Sequence, residues 1–247
     1  MNKEIKLKEN EKIEDLQFEG LAIIQSSNEY RFTSDAVLLA NFAKVKKGSI
    51  VADLGTGSGI IALLIAAKQL PEKIFAIEIQ PQLADMAKRS VLLNELDDKI
   101  EVICMSMQEF SKSMHSFDTV VCNPPYRKVG SGERQVKSNL SICRHEIAVT
   151  LEEMISSAAA LLKDKGDFYL IHQSERLAEI FVQLVKNQLE PKILVPIYAR
   201  EGDAPYGVLI KATKGGGHGL LWEKGITMFD ENGNFTKTIE RIYNVRK

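Results

Sequence analysis

The 247-residue chain predicts a doubly wound α/β fold with a mostly parallel, seven-stranded sheet and a β-hairpin decoration at each end. Apolar, β-rich runs recur through the middle of the chain. Helical patterns separate them at the spacing of βαβ units, and runs such as Ile50-Val51-Ala52-Asp53-Leu54 and Thr119-Val120-Val121-Cys122 are apolar on both faces, as buried parallel strands must be.

In chain order, residues 16–25 and 30–32 read as a hairpin turning at Ser26-Ser27-Asn28. A helix starts at Thr33-Ser34-Asp35, where a short polar side chain can accept from the free amides of the first turn. Strands follow at 49–54, 73–79, 99–104, 117–122, 166–172, 191–198 and 206–213, with helices at 59–69, 81–94, 151–163 and 175–188. Residues 226–230 and 235–239 read as a second hairpin around Asn232-Gly233. Neither end has the length of a domain, so the expectation is one domain over 1–247: residues 1–48 as N-terminal hairpin and helix, 49–213 as core, 214–247 as extension.

Composition narrows the function. With 32 Lys and Arg against 33 Asp and Glu the chain cannot coat nucleic acid by bulk charge. Cys104, Cys122 and Cys143 form no CxxC pair, which supports neither a disulfide framework nor a zinc knuckle. The first residues contain no apolar core of a secretory signal and no run approaches a bilayer span, so a cytoplasmic protein, away from membranes, is expected.

Doubly wound sheets bind ligands at the carboxyl ends of their strands. After the first core strand stands Asp53-Leu54-Gly55-Thr56-Gly57-Ser58-Gly59, a glycine turn into a helix that lets a ligand approach the backbone. Ile60 occupies the position where the dinucleotide fingerprint wants glycine or alanine, and no GxxxxGK[ST] loop is present, so NAD and triphosphates are disfavoured. Glu78, with Ile79 beside it, ends the next strand, where a carboxylate can accept from two ribose hydroxyls. Two carboxylates and no phosphate cradle fit a cationic ligand with a ribose, such as S-adenosylmethionine (SAM). Here the sequence resembles the class I SAM-dependent methyltransferases, whose loop reads D-x-G-x-G-x-G and whose sheet is Rossmann-like. The resemblance implies cofactor contacts from Asp53, Gly55, Thr56, Gly57, Gly59, Glu78 and Ile79. It also implies contacts from Ser106 and Met107, which stand where many members hold the adenine amino group with an acid.

Asn123-Pro124-Pro125-Tyr126 directly follows the fourth core strand. The prolines keep the turn extended and stiff. A planar amino nitrogen is a poor nucleophile because its lone pair is delocalised. Two acceptors, the Asn123 side-chain oxygen and the Pro124 carbonyl, would orient it, and Tyr126 would stack on the group that bears it. No metal and no covalent nucleophile is required, and Val149 stands where an HExxH motif starting at His145 would need its second histidine. The tetrapeptide resembles the NPPY motif of methyltransferases acting on adenine N6 or on the glutamine amide of release factors.

From Arg127 to Arg144 there are five basic residues, Arg127, Lys128, Arg134, Lys137 and Arg144, against one acid, and Gly130-Ser131-Gly132 reads as a loop able to close over a base. Phosphate contacts from these residues would hold a strand whose base is splayed into the pocket. Arg31 to Leu39, the glycine loop, NPPY, Arg144-His145-Glu146 and the closing Asn-Gly turn together resemble the bacterial tRNA1(Val) adenine-37 N6-methyltransferases. That resemblance implies a tRNA partner, Asp35 beside the cofactor and His145 near the RNA entrance; a monomer is the expectation for the oligomeric state, which the sequence leaves open. The release-factor enzymes usually add a longer helical N-terminal domain, and fewer than 50 residues precede this core. A SAM-binding RNA module without catalysis is the third reading, disfavoured by the intact tetrapeptide.

Overall fold

The computed structural model describes residues 5–26, 34–114, 116–124 and 149–243. The seven expected core strands are present as β3 (Ile50–Leu54), β4 (Lys73–Glu78), β5 (Ile100–Cys104), β6 (Phe117–Cys122), β7 (Leu162–Gln173), β8 (Leu189–Tyr198) and β9 (Gly207–Lys214). They lie in the order β8-β9-β7-β6-β3-β4-β5, with β9 antiparallel to both neighbours and the other pairings parallel.

Helices cover both faces. Helices α1 (Ser34–Phe42), α2 (Ile60–Gln69) and α3 (Pro81–Leu93) pack on the face that carries Val51, Ile74, Val121 and Ile171. On the other face, α4 (Met107–Ser113), α5 (Leu151–Leu161) and α6 (Leu177–Lys186) pack on Ala52, Ile77, Val120 and Leu170. Burial on both faces is why these strands read as continuous apolar runs. The first of these cores also includes Leu16 and Ile23 from one end of the chain and Met228 and Ile239 from the other.

Four details correct the expectations. A hairpin is present between β1 (Glu11–Asp15) and β2 (Ala22–Ser26), while the expected return strand at 30–32 lies outside the described residues. Residues 16–25 do not form one strand because Gln17, Glu19 and Gly20 adopt positive φ and turn the chain, and the Asp15 carboxylate accepts from Gln17 N. The hairpin is fastened to α3 by Arg89, which donates bidentately to Glu11 (2.6 and 2.6 Å) and also to Asp85 (2.7 Å). At the other end, the second hairpin shrinks to one bridge between Phe229 and Phe235. Its return strand is instead the helix α7 (Lys237–Ile242), N-capped by Thr236, while two short strands, β10 (Leu221–Trp222) and β11 (Ile226–Thr227), extend the sheet beside β8.

A helix not expected, α4, follows β5. Its signal was in the sequence: Ser106 accepts from the Glu109 amide (3.2 Å) and donates to the Glu109 carboxylate (2.7 Å). Finally, β7 starts at Leu162, directly after α5, because the ladder with β6 shifts register between Phe117 and Thr119. Gly166 permits that irregularity, since a Cβ there would sit 2.9 Å from Leu162 Cδ2 and 3.1 Å from the Phe117 carbonyl.

Candidate active site

The ladders align the site. Leu54 pairs with Ile77 and with Cys122, and Cys122 pairs with Leu170. Extending each pairing by one residue places Glu78, Gly55, Asn123 and Ile171 in a row across the carboxyl ends of β4, β3, β6 and β7, with neighbouring strands about 4.8 Å apart. Sequence alone ordered these residues along the chain; the sheet sets Asn123 between the glycine loop and the end of β7.

The loop is rigid and open on one side. Gly55 and Thr56 both donate to the Ile77 carbonyl (2.9 and 3.0 Å), and Gly57 N donates to Glu78 Oε2 (3.0 Å). A Cβ on Gly55 or Gly57 would meet nothing within 4 Å, so their free side faces space a ligand can fill. Gly59 differs. At φ 95° it starts α2, and a Cβ there would lie 3.4 Å from Ala87 Cβ on α3. Gly59→Ala is therefore expected to lower stability by about 1 kcal/mol or more, checked by denaturant unfolding.

Glu78 is 5% exposed and bridges the loop to the start of α3: Oε1 accepts from Gln80 N at 2.9 Å while Oε2 holds Gly57. Burial raises its pKa, against the amide hydrogen bonds that lower it. Asp53 has no exposed surface. Its Oδ2 accepts from Thr56 Oγ1 (2.6 Å), and burial, opposed by hydrogen bonds from Thr56 and the Ala62 amide and reinforced by the Glu78 charge, pushes it up to about 7. Two buried carboxylates that repel each other beneath an open glycine turn form a site that a cation relieves.

The remaining expected residues fall as follows. Asn123 and Pro124 are half-buried at the end of β6. Ile79 is exposed beside Glu78, and Ser106 and Met107 begin α4 one strand further on, after β5. Asp35, in the first turn of α1, lines a cleft at the end of β7. Pro125, Tyr126, Arg127, Lys128, Arg134, Lys137, Arg144 and His145 lie outside the described residues. The helix α5 is capped by a reciprocal Thr150 and Glu153 box.

Sequence reasoning missed Gln25, a buried residue of β2 whose Nε2 donates to Ser58 in the loop (3.3 Å), because a lone glutamine in a hairpin carries no motif. It also missed Gln80, which the position two residues after Glu78 would have flagged. Among the described residues no group of three His, Cys, Asp or Glu side chains is placed to hold a metal, and no helix is long and apolar enough to cross a membrane.

Comparison with known proteins bears on the fold and the family. A curated relative from Bacteroides thetaiotaomicron, named tRNA1(Val) (adenine(37)-N6)-methyltransferase, is 28% identical over 200 residues, 80% of this chain and 82% of its own. A crystal structure of a predicted O-methyltransferase from Agrobacterium tumefaciens superposes with a TM-score of 0.68 at 23% identity, over 85% of this chain and 95% of that one. The TYW2 protein of M. jannaschii, crystallised in complex with AdoMet, gives 0.59 at 15% identity over 84% and 87%. Both share the fold. The model of the methyltransferase small domain matches residues 24–190, which span the hairpin edge, the glycine loop, Asn123-Pro124 and the strands through the start of β8. Because that match covers well over half of the sequence, the chain belongs to the methyltransferase small domain family.

Proposed function

We propose that this chain is a SAM-dependent methyltransferase that modifies adenine N6 in tRNA, at adenine 37 of a valine tRNA, and that residues 1–247 act as one cytoplasmic, monomeric catalytic domain. The observation that carries the reading is the row across the sheet, with Asn123 between a cation-seeking glycine loop and an open cleft. The name of the Bacteroides relative, matched over four fifths of this chain, supports tRNA as the substrate.

SAM fits the residues present. The open sides of Gly55 and Gly57 would accommodate it, the buried Asp53 and Glu78 carboxylates favour its positive charge, and Glu78 has lone pairs left for ribose hydroxyls. When bound, SAM supplies an electrophilic methyl group. The chain's part is to hold the acceptor: the Asn123 side-chain oxygen and the Pro124 carbonyl accept from the two N–H groups of the amine, turning its lone pair toward the methyl group. As the N–C bond forms the sulfonium S–C bond would break, and the surplus N–H proton, held by the same two acceptors, would pass to solvent. Tyr126 stacks on the base, and Arg127, Lys128, Arg134, Lys137, Arg144 and His145 hold the surrounding RNA.

Glu78→Ala should weaken SAM binding about 10- to 100-fold by calorimetry, since charge-assisted hydrogen bonds contribute roughly 1.5 to 3 kcal/mol and the variant also releases the Gly57 amide. Unchanged affinity would remove Glu78 from the site. RNA affinity should fall with salt on a log–log slope of roughly −3.5, as expected for about five phosphate contacts to a single strand, while SAM affinity stays flat. A flat RNA profile would count against the basic loop.

The decisive experiment is incubation of the full chain with tritiated SAM and unmodified tRNA, rRNA or release factor, followed by nucleoside mass spectrometry. N6-methyladenosine in tRNA is expected. Label confined to protein would overturn the RNA reading in favour of a release-factor methyltransferase, and no label would overturn it in favour of a binding module.

A further inference from the structure

The glycine turn that meets the cofactor is permissive backbone, and two side chains from outside it hold its shape. Gly57 and Gly59 adopt positive φ, 60° and 95°, on either side of Ser58. Glycines impose no conformation of their own and lose more freedom than other residues when fixed. Glu78 clamps one half of the turn through the Gly57 amide. The other clamp is Gln25, whose Nε2 donates to Ser58 Oγ at 3.3 Å from a position 33 residues earlier in the chain.

Gln25 reaches the turn because β2 is strapped along α3. Asn94 exchanges two hydrogen bonds with the Ala22 backbone (2.9 and 2.6 Å), Ser90 Oγ accepts from Ile24 N (3.0 Å), and Ile24 packs with Leu83 and Met86 of the same helix. These contacts lead toward the start of α3, where Ala87 abuts Gly59. The anchorage leaves one oddity. Gln25 is 2% exposed, and its Oε1 is buried with no hydrogen-bond partner among the described residues. An unpaired buried acceptor lowers stability, so methionine, unbranched and of similar length, would suit the fold at least as well. What the amide adds is a fixed Ser58.

We propose that Gln25 is a positioning residue for the cofactor: through Ser58 it holds the turn from Gly57 to Gly59 in the conformation that receives SAM, which makes the N-terminal hairpin part of the cofactor site. The effect is preorganisation. A turn already held need not be ordered on binding, so the contact shows in SAM affinity and not in the transfer step. The inference rests on the SAM reading above. Wild-type protein that binds no SAM by calorimetry would sink that reading, and this assignment with it, before any variant is compared.

The test compares Gln25→Met, Ser58→Ala and the double variant with wild type by SAM calorimetry, by steady-state methyl transfer to unmodified tRNA and by denaturant unfolding. Each single variant should bind SAM about 3- to 10-fold more weakly, the range of one neutral hydrogen bond. The KM for SAM should rise by the same factor, while kcat at saturating SAM stays within about two-fold, since the loss is confined to binding. The double variant should lose no more affinity than either single one, because both substitutions remove the same contact. Stability should not follow affinity: with both partners apolar, the double variant should unfold at a free energy no lower than wild type. Wild-type SAM affinity in Gln25→Met would overturn the proposal, as would additive losses in the double variant or a drop in stability that tracks the loss of affinity. Ser58→Ala leaves Gln25 in place and keeps the comparison open should the methionine variant fail to fold.

Discussion

Replacing Asn123 by alanine should lower methyl transfer about 100- to 1,000-fold while SAM affinity stays within about three-fold. The magnitude follows from removing one preorganised polar group at a reacting centre. The separation of the two effects follows from the sheet. Asn123 stands one strand away from the glycine loop, whose bonds to the Ile77 carbonyl and Glu78 carboxylate remain when it is truncated. Single-turnover transfer and calorimetry on the same preparation measure both. Asn123→Asp is the sharper variant: a carboxylate still accepts from the amine but adds negative charge beside Asp53 and Glu78, and transfer should fall without loss of the fold. Near-normal turnover in Asn123→Ala would remove Asn123 from the chemistry.

Stability should decline as pH rises from about 4 to 7 through Asp53, and Asp53→Asn should abolish that part of the decline. Burial raises the folded-state pKa from 3.8 to about 7, so between those values the folded protein holds a proton that the unfolded chain has released. The penalty is absent below pH 4, grows through the interval and is constant above 7, where it reaches about 4 kcal/mol. The check is the difference in unfolding free energy between Asp53→Asn and wild type at pH 4, 6 and 8. It should move in favour of the variant as pH rises, whatever its offset at pH 4. A difference independent of pH would mean that Asp53 titrates in its ordinary range. Because a bound cation relieves the same penalty, SAM should stabilise wild type more than the variant at pH 8.

The seven core strands were legible because burial on both faces forces continuous apolar runs, and the helices between them because Pro81 at one start and the Thr150 and Glu153 box at another mark their ends locally. The ends of the chain were less legible. Residues 16–25 look like one strand until Gln17 and Glu19 adopt positive φ, a conformation side chains of that type rarely advertise. The return half of the expected C-terminal hairpin became α7 because Thr236 caps a helix whose Ile239 reaches the core, a tertiary reward that a local reading of Asn-Gly does not contain.

By itself, the sequence determined which side chains are present for chemistry, since Asp53, the glycine turn, Glu78 and Asn123-Pro124 each follow a strand whose position its own apolar run specifies. Only the tertiary structure decided how they share a site. Strand order and register are properties of pairing between segments tens of residues apart, and they alone set Glu78, Gly55, Asn123 and Ile171 side by side. The same long-range packing brings Tyr206, from the turn between β8 and β9, to the first turn of α1, where a cleft forms that no motif foretells.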